Sequence, residues 1–309
     1  MNKKDKIFYI IIFTVIIIGC YIGLYPKITD SYNEMNQTQT LISYNKDMLD
    51  LSQETINQEL EKAYKYNEKI YEMWKNTMFT YQGSTKSKSD KEYESLLATQ
   101  NIMGYVEIES IGIKLPIVHG TVESDLDSMA GHMYLSSLPV GGENTKSIIA
   151  AHTGLPTAKL FSDLDKMHTG DHFYICIFNK KLYYEVKSEP IVCVPEEEYH
   201  YLQIEEGKDL VALYTCTPYG INDHRLIVIG ERDASKDIVE DTIKNETIEI
   251  NNQNTMSIVK FYGFLLGPAI LYIGIILYII LKKKKPKNIV TTTTKSISDD
   301  SVNDTDDKV

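Results

Sequence analysis

The chain has 309 residues, 43% of them hydrophobic, and a formal net charge of −11 at pH 7. That charge is divided: residues 1–25 carry +2, residues 282–309 carry +2, and the stretch between carries −15. So acidic a middle excludes the electrostatic footprint of a nucleic-acid or polyanion binder and favours neutral or cationic partners.

Two apolar runs bound the chain. Ile7 to Leu24 is uncharged and follows Lys3, Lys4 and Lys6; Phe264 to Leu281 is uncharged and precedes Lys282 to Lys285. Eighteen helical residues reach about 27 Å, close to the roughly 30 Å of a bilayer core, so each run is read as a transmembrane helix. Lysines beside a span stay in the cytoplasm, which places both termini inside and residues 26–260 outside. Pro26 is read as the stop of the first helix, and Pro268 as a tolerated kink in the second. A cleavable signal peptide lacks its Ala-x-Ala site, and although Ile17-Ile18-Gly19-Cys20 resembles a lipoprotein cleavage site, the apolar run continues past it.

From Ser31 to Thr80 the apolar spacing is helical. Leu41, Tyr44, Met48 and Leu51 recur at three or four residues, as do Ile56, Leu60, Ala63 and Tyr64; polar Asn67 falls on the stripe before Ile70, Tyr71 and Trp74 resume it. Ser52 is placed to cap a second helix. Residues 82–90 read as a polar loop. Period-2 alternation follows, with strands expected over 103–109, 111–117, 147–151, 172–178, 182–187, 190–194, 210–215 and 225–231, and one short helix over 157–164 after Pro156. Many short strands with few helical insertions predict a mainly β, closed or nearly closed barrel. The expected divisions are a cytoplasmic N-terminus 1–6, a transmembrane helix 7–25, a helical region and linker 26–99, a barrel domain 100–235, a membrane-proximal linker 236–262, a second span 263–281 and a polar, disordered cytoplasmic tail 282–309.

Chemistry concentrates in one stretch. Asp209 to Gly230 reads as a strand ending near Cys216, a turn at Pro218 and Gly220, and a strand beginning near Arg225. If those strands are neighbours, a thiol and a guanidinium share one rim, where the positive charge favours the thiolate and stabilises a developing oxyanion. Of seven histidines, His152 is the best placed partner, because it ends the apolar run Ile148 to Ala151 and opens a loop. His224 is its rival by sequence; His132 and His119 are weaker, and His168, His172 and His200 read as surface or structural. Three cysteines outside the apolar runs leave at least one without an internal partner; Cys176 and Cys193 are the pair a disulfide would join, with burial as apolar residues the alternative. Spacing alone leaves Cys216 open between a nucleophile and a buried structural thiol, and His132, His152 and His224 form no close-spaced metal motif.

Leu213-Tyr214-Thr215-Cys216, with Thr217-Pro218-Tyr219-Gly220-Ile221-Asn222 and His224-Arg225-Leu226, resembles the active-site signature of sortases, most closely the class C, pilin-polymerising branch. Ala151-His152-Thr153-Gly154-Leu155-Pro156 is similar to that family's histidine motif, and Leu160-Phe161, Gly170-Asp171, Pro116-Ile117, His119-Gly120, Gly131-His132 and Leu138 to Gly142 match in order. The likeness is strong over about residues 100–232. It implies an eight-stranded sortase-like β-barrel with an N-terminal helical extension and a transmembrane helix at each end. It further implies Cys216 as nucleophile, His152 as acid and base, Arg225 as orienting or oxyanion-holding group, and no metal or organic cofactor. The implied reaction on a Gram-positive surface cleaves an LPxTG-like sorting signal between Thr and Gly and passes the acyl group to a pilin lysine. Partners are then pilins or surface proteins bearing such signals; anchoring to peptidoglycan amines and a catalytically silent scaffold are the alternatives. Two departures stand out: Ala212 where a threonine is common, and no Asp-Pro-aromatic lid between Asn67 and Met103, for which Met78-Phe79 or Trp74 offers an aromatic plug or ordinary helix-face core.

Overall fold

The computed structural model describes residues 3–76, 90–99, 101–178, 180–239 and 241–281. The polar loop expected at 82–90, apart from Asp90, the pair Met78-Phe79 and the tail 282–309 lie outside those residues.

Helix α1 runs unbroken from Lys3 to Asp50, and α6 from Asp241 to Leu281. Pro26 therefore does not stop the first helix. Proline removes one N–H, the one that would have reached the Ile22 carbonyl, and α1 continues because α6 packs along it. Thr14 Oγ1 meets Tyr272 OH at 2.7 Å, Tyr21 OH donates to the Leu265 carbonyl, the Tyr32 and Phe261 rings lie 5.7 Å apart, and Lys260 reaches Glu34 at 3.3 Å. The same pairing explains why the expected linker 236–262 is helix from Asp241 onward: a polar segment gains from a packed neighbour what it lacks in intrinsic stability. Both helices are long and apolar enough to cross a membrane, and almost none of their apolar windows is buried inside the protein.

The chain turns at Leu51-Ser52 into α2 (Gln53–Asn76), and Ser52 Oγ accepts the Thr55 N–H at 3.1 Å, as a cap does. Leu41, Tyr44 and Met48 of α1 and Ile56, Leu60, Ala63, Tyr66 and Ile70 of α2 are buried against the barrel; Tyr64, expected on that stripe, is 43% exposed and Tyr66 takes its place. Polar Asn67 belongs on the buried face because its side-chain amide takes both backbone groups of Leu138, donating to its carbonyl at 3.1 Å and accepting its N–H at 2.7 Å.

Helix α3 (Lys91–Ser95) leads to the strands β1 (Gly104–Ile108), β2 (Ile113–His119), β3 (Ala130–His132), β4 (Thr145–Ala150), β5 (His172–Ile177), β6 (Lys180–Val186), β7 (Ile191–Cys193), β8 (Asp209–Thr217), β9 (His224–Arg232) and β10 (Ile238–Val239). Two short helices interrupt them, α4 (Glu123–Leu126) and α5 (Tyr199–Leu202). The sheet order is β10-β6-β5-β1-β2-β3-β4-β8-β9-β7, and β6 also pairs with β9. That extra pairing closes eight strands, β6-β5-β1-β2-β3-β4-β8-β9, into a barrel and leaves β10 and β7 outside it. All eight expected strands are present. The expected helix at 157–164 is a run of turns ending in a 3₁₀ turn at Leu164–Lys166; the segment follows the barrel wall, with the Phe161 N–H bonded to the His152 carbonyl.

Alternation sorts β8 and β9 into two faces. Val211, Leu213, Leu226 and Val228 join the main core, whereas Ala212 and Ile227 join a second cluster with Ile148, Ala150, Cys193 and Leu202. The second cluster lies on the outer face, beneath β7 and α5. At the far end of β9, Arg232 is enclosed by Asp209, Asp237 and Tyr184. Gly141 permits this: its φ is +74°, and a Cβ there would strike Arg232 Nη1 at 2.1 Å.

Candidate active site

Parallel pairing of β4 with β8 sets the first relation. Ala150 lies opposite Tyr214, the Ala151 N–H bonds to the Tyr214 carbonyl at 3.1 Å, and the buried Thr215 hydroxyl donates to the Ala151 carbonyl at 2.7 Å. Because parallel strands end at the same pole, His152 leaves the sheet at the rim where β8 reaches Cys216. The antiparallel β8–β9 pair sets the second relation, with Cys216 directly opposite Arg225. Directly opposed residues project to the same face, so thiol and guanidinium share the outer face with Tyr214. The loops beyond the strands also meet. Gly154 has φ +76°, a left-handed backbone that favours glycine, and the Tyr219 ring lies at van der Waals distance from where a Cβ would sit, 3.4 Å away.

The structure separates the remaining histidines. His224 lies opposite Thr217, one residue out of step with Cys216, and its Nδ1 pairs with Asp223 at 2.7 Å. Alternation turns it to the other face. His132 is fully buried, with Nδ1 2.8 Å from Tyr93 OH and Nε2 2.8 Å from the Ser137 carbonyl, and burial pushes its pKa down to about 3. His119 is fastened to the Leu96 carbonyl, and His172 stacks on Tyr183. His152 keeps 24% of its side chain exposed; its Nε2 has no hydrogen-bond partner among the described residues and lies 3.4 Å from Glu123 Oε1 of α4.

Arg225 Nη1 donates to the Asn222 and His224 carbonyls at 3.3 and 3.1 Å, and Nε lies 3.5 Å from Glu198 Oε2, which accepts the Tyr214 hydroxyl at 2.6 Å. Burial works against the guanidinium charge, but Tyr214, Cys216 and Glu198 outweigh it and hold the group above its ordinary value. Burial, then the bond to Glu198, raises the Tyr214 phenol. Cys193, opposite Arg225 on its other side, is 4% exposed, and burial followed by Glu198 and Glu197 pushes its thiol up. No disulfide joins any of the four cysteines: Cys176 and Cys193 sit in different clusters. Cys216 alone of the three outside the apolar runs reaches solvent.

A family model described as the Sortase domain matches residues 106–233. Among solved structures, sortase C1 of GBS Pilus Island 1 is 37% identical, with a TM-score of 0.57 over 63% of this chain and 91% of that one. The chain belongs to the sortase family, class C. Sortase C-1 from Streptococcus pneumoniae is 35% identical, with a TM-score of 0.54 over 63% of this chain and 98% of that one. Sortase A of Bacillus anthracis is 24% identical over 140 residues, 45% of this chain and 64% of its own length; sortase D of Bacillus subtilis (strain 168) is 27% identical over 137 residues, 43% and 65%. The chain thus spans just under two thirds of the length of those two relatives.

In this sortase, the three residues singled out by sequence, His152, Cys216 and Arg225, come to one rim. Sequence reading passed over Glu198, Tyr214 and Glu123. Tyr214 was signalled only by its place between Leu213 and Thr215, two residues before the thiol and hence on its face. Trp74 is spent on the barrel wall, where its Nε1–H donates to the Leu135 carbonyl at 3.0 Å and its ring packs on the main core.

Proposed function

We propose that this sortase is a membrane-anchored cysteine transpeptidase that polymerises pilins. One observation carries the reading: β4, β8 and β9 bring His152, Cys216 and Arg225 to a single, partly exposed rim. The Cys216 thiolate attacks the Thr carbonyl of an LPxTG-like signal, and Arg225 donates to the oxyanion that develops. As the C–N bond to Gly breaks, His152 protonates the departing amine, leaving a thioacyl-enzyme. His152 then takes a proton from the incoming lysine amine, whose nitrogen attacks the thioester and expels the Cys216 thiolate. Water at about 55 M competes for that thioester, so a groove that positions the amine supplies what concentration cannot.

The lysines flanking the two apolar runs support a topology with both termini in the cytoplasm and the barrel outside. Asp30 and Asn33 of α1, six and nine residues beyond Leu24, bond to the Lys159 N–H and the Thr157 carbonyl, both at 2.9 Å. At 1.5 Å per residue, that puts the loop after His152 about 9–14 Å above the end of the apolar run. The reactive pole faces the membrane. The class C relatives, one from a pilus island, favour a pilin lysine as acceptor over a peptidoglycan amine.

The test is to incubate the full chain in lipid nanodiscs with an LPxTG-type peptide, with and without a purified pilin, and read intact masses. A thioacyl adduct absent in Cys216→Ala, then an isopeptide on a pilin lysine, is the expected result. Resolution only by a cross-bridge peptide amine overturns the polymerase reading in favour of anchoring. An adduct that persists in Cys216→Ala overturns the nucleophile.

A further inference from the structure

Three consecutive glutamates, Glu196 to Glu198, follow β7. The first two are exposed; the Glu198 side chain is only 14% exposed and turns under the rim. Its Oε2 takes the Tyr214 hydroxyl at 2.6 Å and faces Arg225 Nε at 3.5 Å, while two backbone carbonyls hold Nη1. The guanidinium is thus held at Nε and at Nη1, with the Tyr214 side chain also beside it.

Resting on the assignment of Cys216 and Arg225 above, we propose that Glu198, fixed by Tyr214, is the positioning residue of Arg225: it sets the guanidinium plane and offsets part of its charge at Cys216. The titratable groups around Arg225 are Tyr214 and Cys216 from β8, Cys193 from β7 and Glu198 from the segment after β7; Glu197 acts on Cys193, and His224 is turned to the other face with Asp223. Among them only Glu198 brings a negative charge to contact distance. A single ion pair at 3.5 Å adds little stability when partly solvated, but a planar fork aimed at a developing oxyanion loses its use once free to rotate. The carboxylate has a second effect of opposite sign. Arg225 favours the thiolate and Glu198 opposes it, so removing the negative charge makes Cys216 easier to ionise while it loosens Arg225.

Two readouts on the full chain in lipid nanodiscs separate these effects. Iodoacetamide labelling of Cys216 across pH, resolved from the other cysteines by peptide mass, needs no sorting peptide and so stands even if the proposed substrate is wrong. In Glu198→Gln the pH of half-maximal labelling is expected to fall by about half a unit or more, while kcat/KM for sorting-peptide cleavage drops about tenfold, mostly in kcat. Glu198→Asp keeps the charge, returning the labelling midpoint to the wild-type value and part of the rate. Tyr214→Phe leaves the midpoint in place and lowers the rate about threefold. A Glu198→Gln protein whose midpoint is unmoved overturns the proposal, whether its rate is normal or falls only in step with its melting temperature. If that variant does not fold, a wild-type rate in both Glu198→Asp and Tyr214→Phe overturns it equally.

Discussion

Strand β9 carries an arginine at each end, and the two are treated in opposite ways. Arg232 spends its donors: Nε and Nη2 go to the two oxygens of Asp237, Nη1 goes to Asp209 at 3.1 Å, and the guanidinium lies 5.7 Å over the Tyr184 ring. Arg225 has one carboxylate at 3.5 Å and two backbone carbonyls on a single nitrogen. The arrangement is otherwise parallel, with a tyrosine hydroxyl bonded to the partner carboxylate in each, Tyr184 to Asp209 and Tyr214 to Glu198. Saturation suits a guanidinium that fastens the fold; the looser hold on Arg225 suits the oxyanion-binding role proposed for it.

Exchanging the fates of the two arginines is the strongest test of that contrast. Arg225→Ala is expected to lower kcat/KM for sorting-peptide cleavage by about 10²–10³-fold, the loss of one oxyanion donor, while denaturant melts move by only about 1 kcal/mol because Glu198 retains Tyr214. Arg232→Ala is expected to cost about 3 kcal/mol by leaving Asp209 and Asp237 without their counter-charge, with kcat per folded molecule within about twofold of wild type. A normal rate in the first, or a collapsed kcat at full stability in the second, breaks the comparison.

Acid sharpens it further. Burial, opposed by the Gly142 N–H and Arg232, holds the Asp209 carboxyl above its usual range, so the folded state takes up that proton more readily than the unfolded chain and the group loses no stability on acidification. His132 behaves otherwise. Its folded pKa of about 3 lies below the ordinary 6.5, so the unfolded chain binds the proton first, and stability is lost as pH falls from about 6.5 towards 3. By pH 5 the loss is about 2 kcal/mol, and His132→Asn should flatten melting temperature against pH in that window. A slope unchanged by that substitution would assign the acid sensitivity to another group.

The barrel was legible because each long strand alternates clearly enough to stand out from its loops. Strands β3 and β10 were not, since three and two residues are too few to show a period. Pro26 misled because the partner that keeps α1 helical lies more than two hundred residues away in sequence. Asn67 looked like a flaw in an apolar stripe until the backbone of Leu138 accounted for it. At the site, Cys216, His152 and Arg225 were visible because strand ends and motif order mark them. Glu198 was not: three identical letters give no sign of which one turns inward, and the choice is made by β7 docking on β9.

Strand β9 also changes company along its length. It pairs with β8 throughout, but on its other side residues 225–227 meet β7 and residues 230–232 meet β6. The seam that makes the barrel a barrel therefore lies at the end away from Cys216, while the rim is roofed by a short strand and one helical turn that carry no share of the closure. Between Lys187 and Lys208 the chain is fastened to the barrel by Cys193 and Leu202 in the second cluster and by the Glu205 pair with buried Lys146, not by the closing ladder. A change at the rim there costs packing in that cluster while the β6–β9 ladder, and with it the closure of the barrel, stays paired.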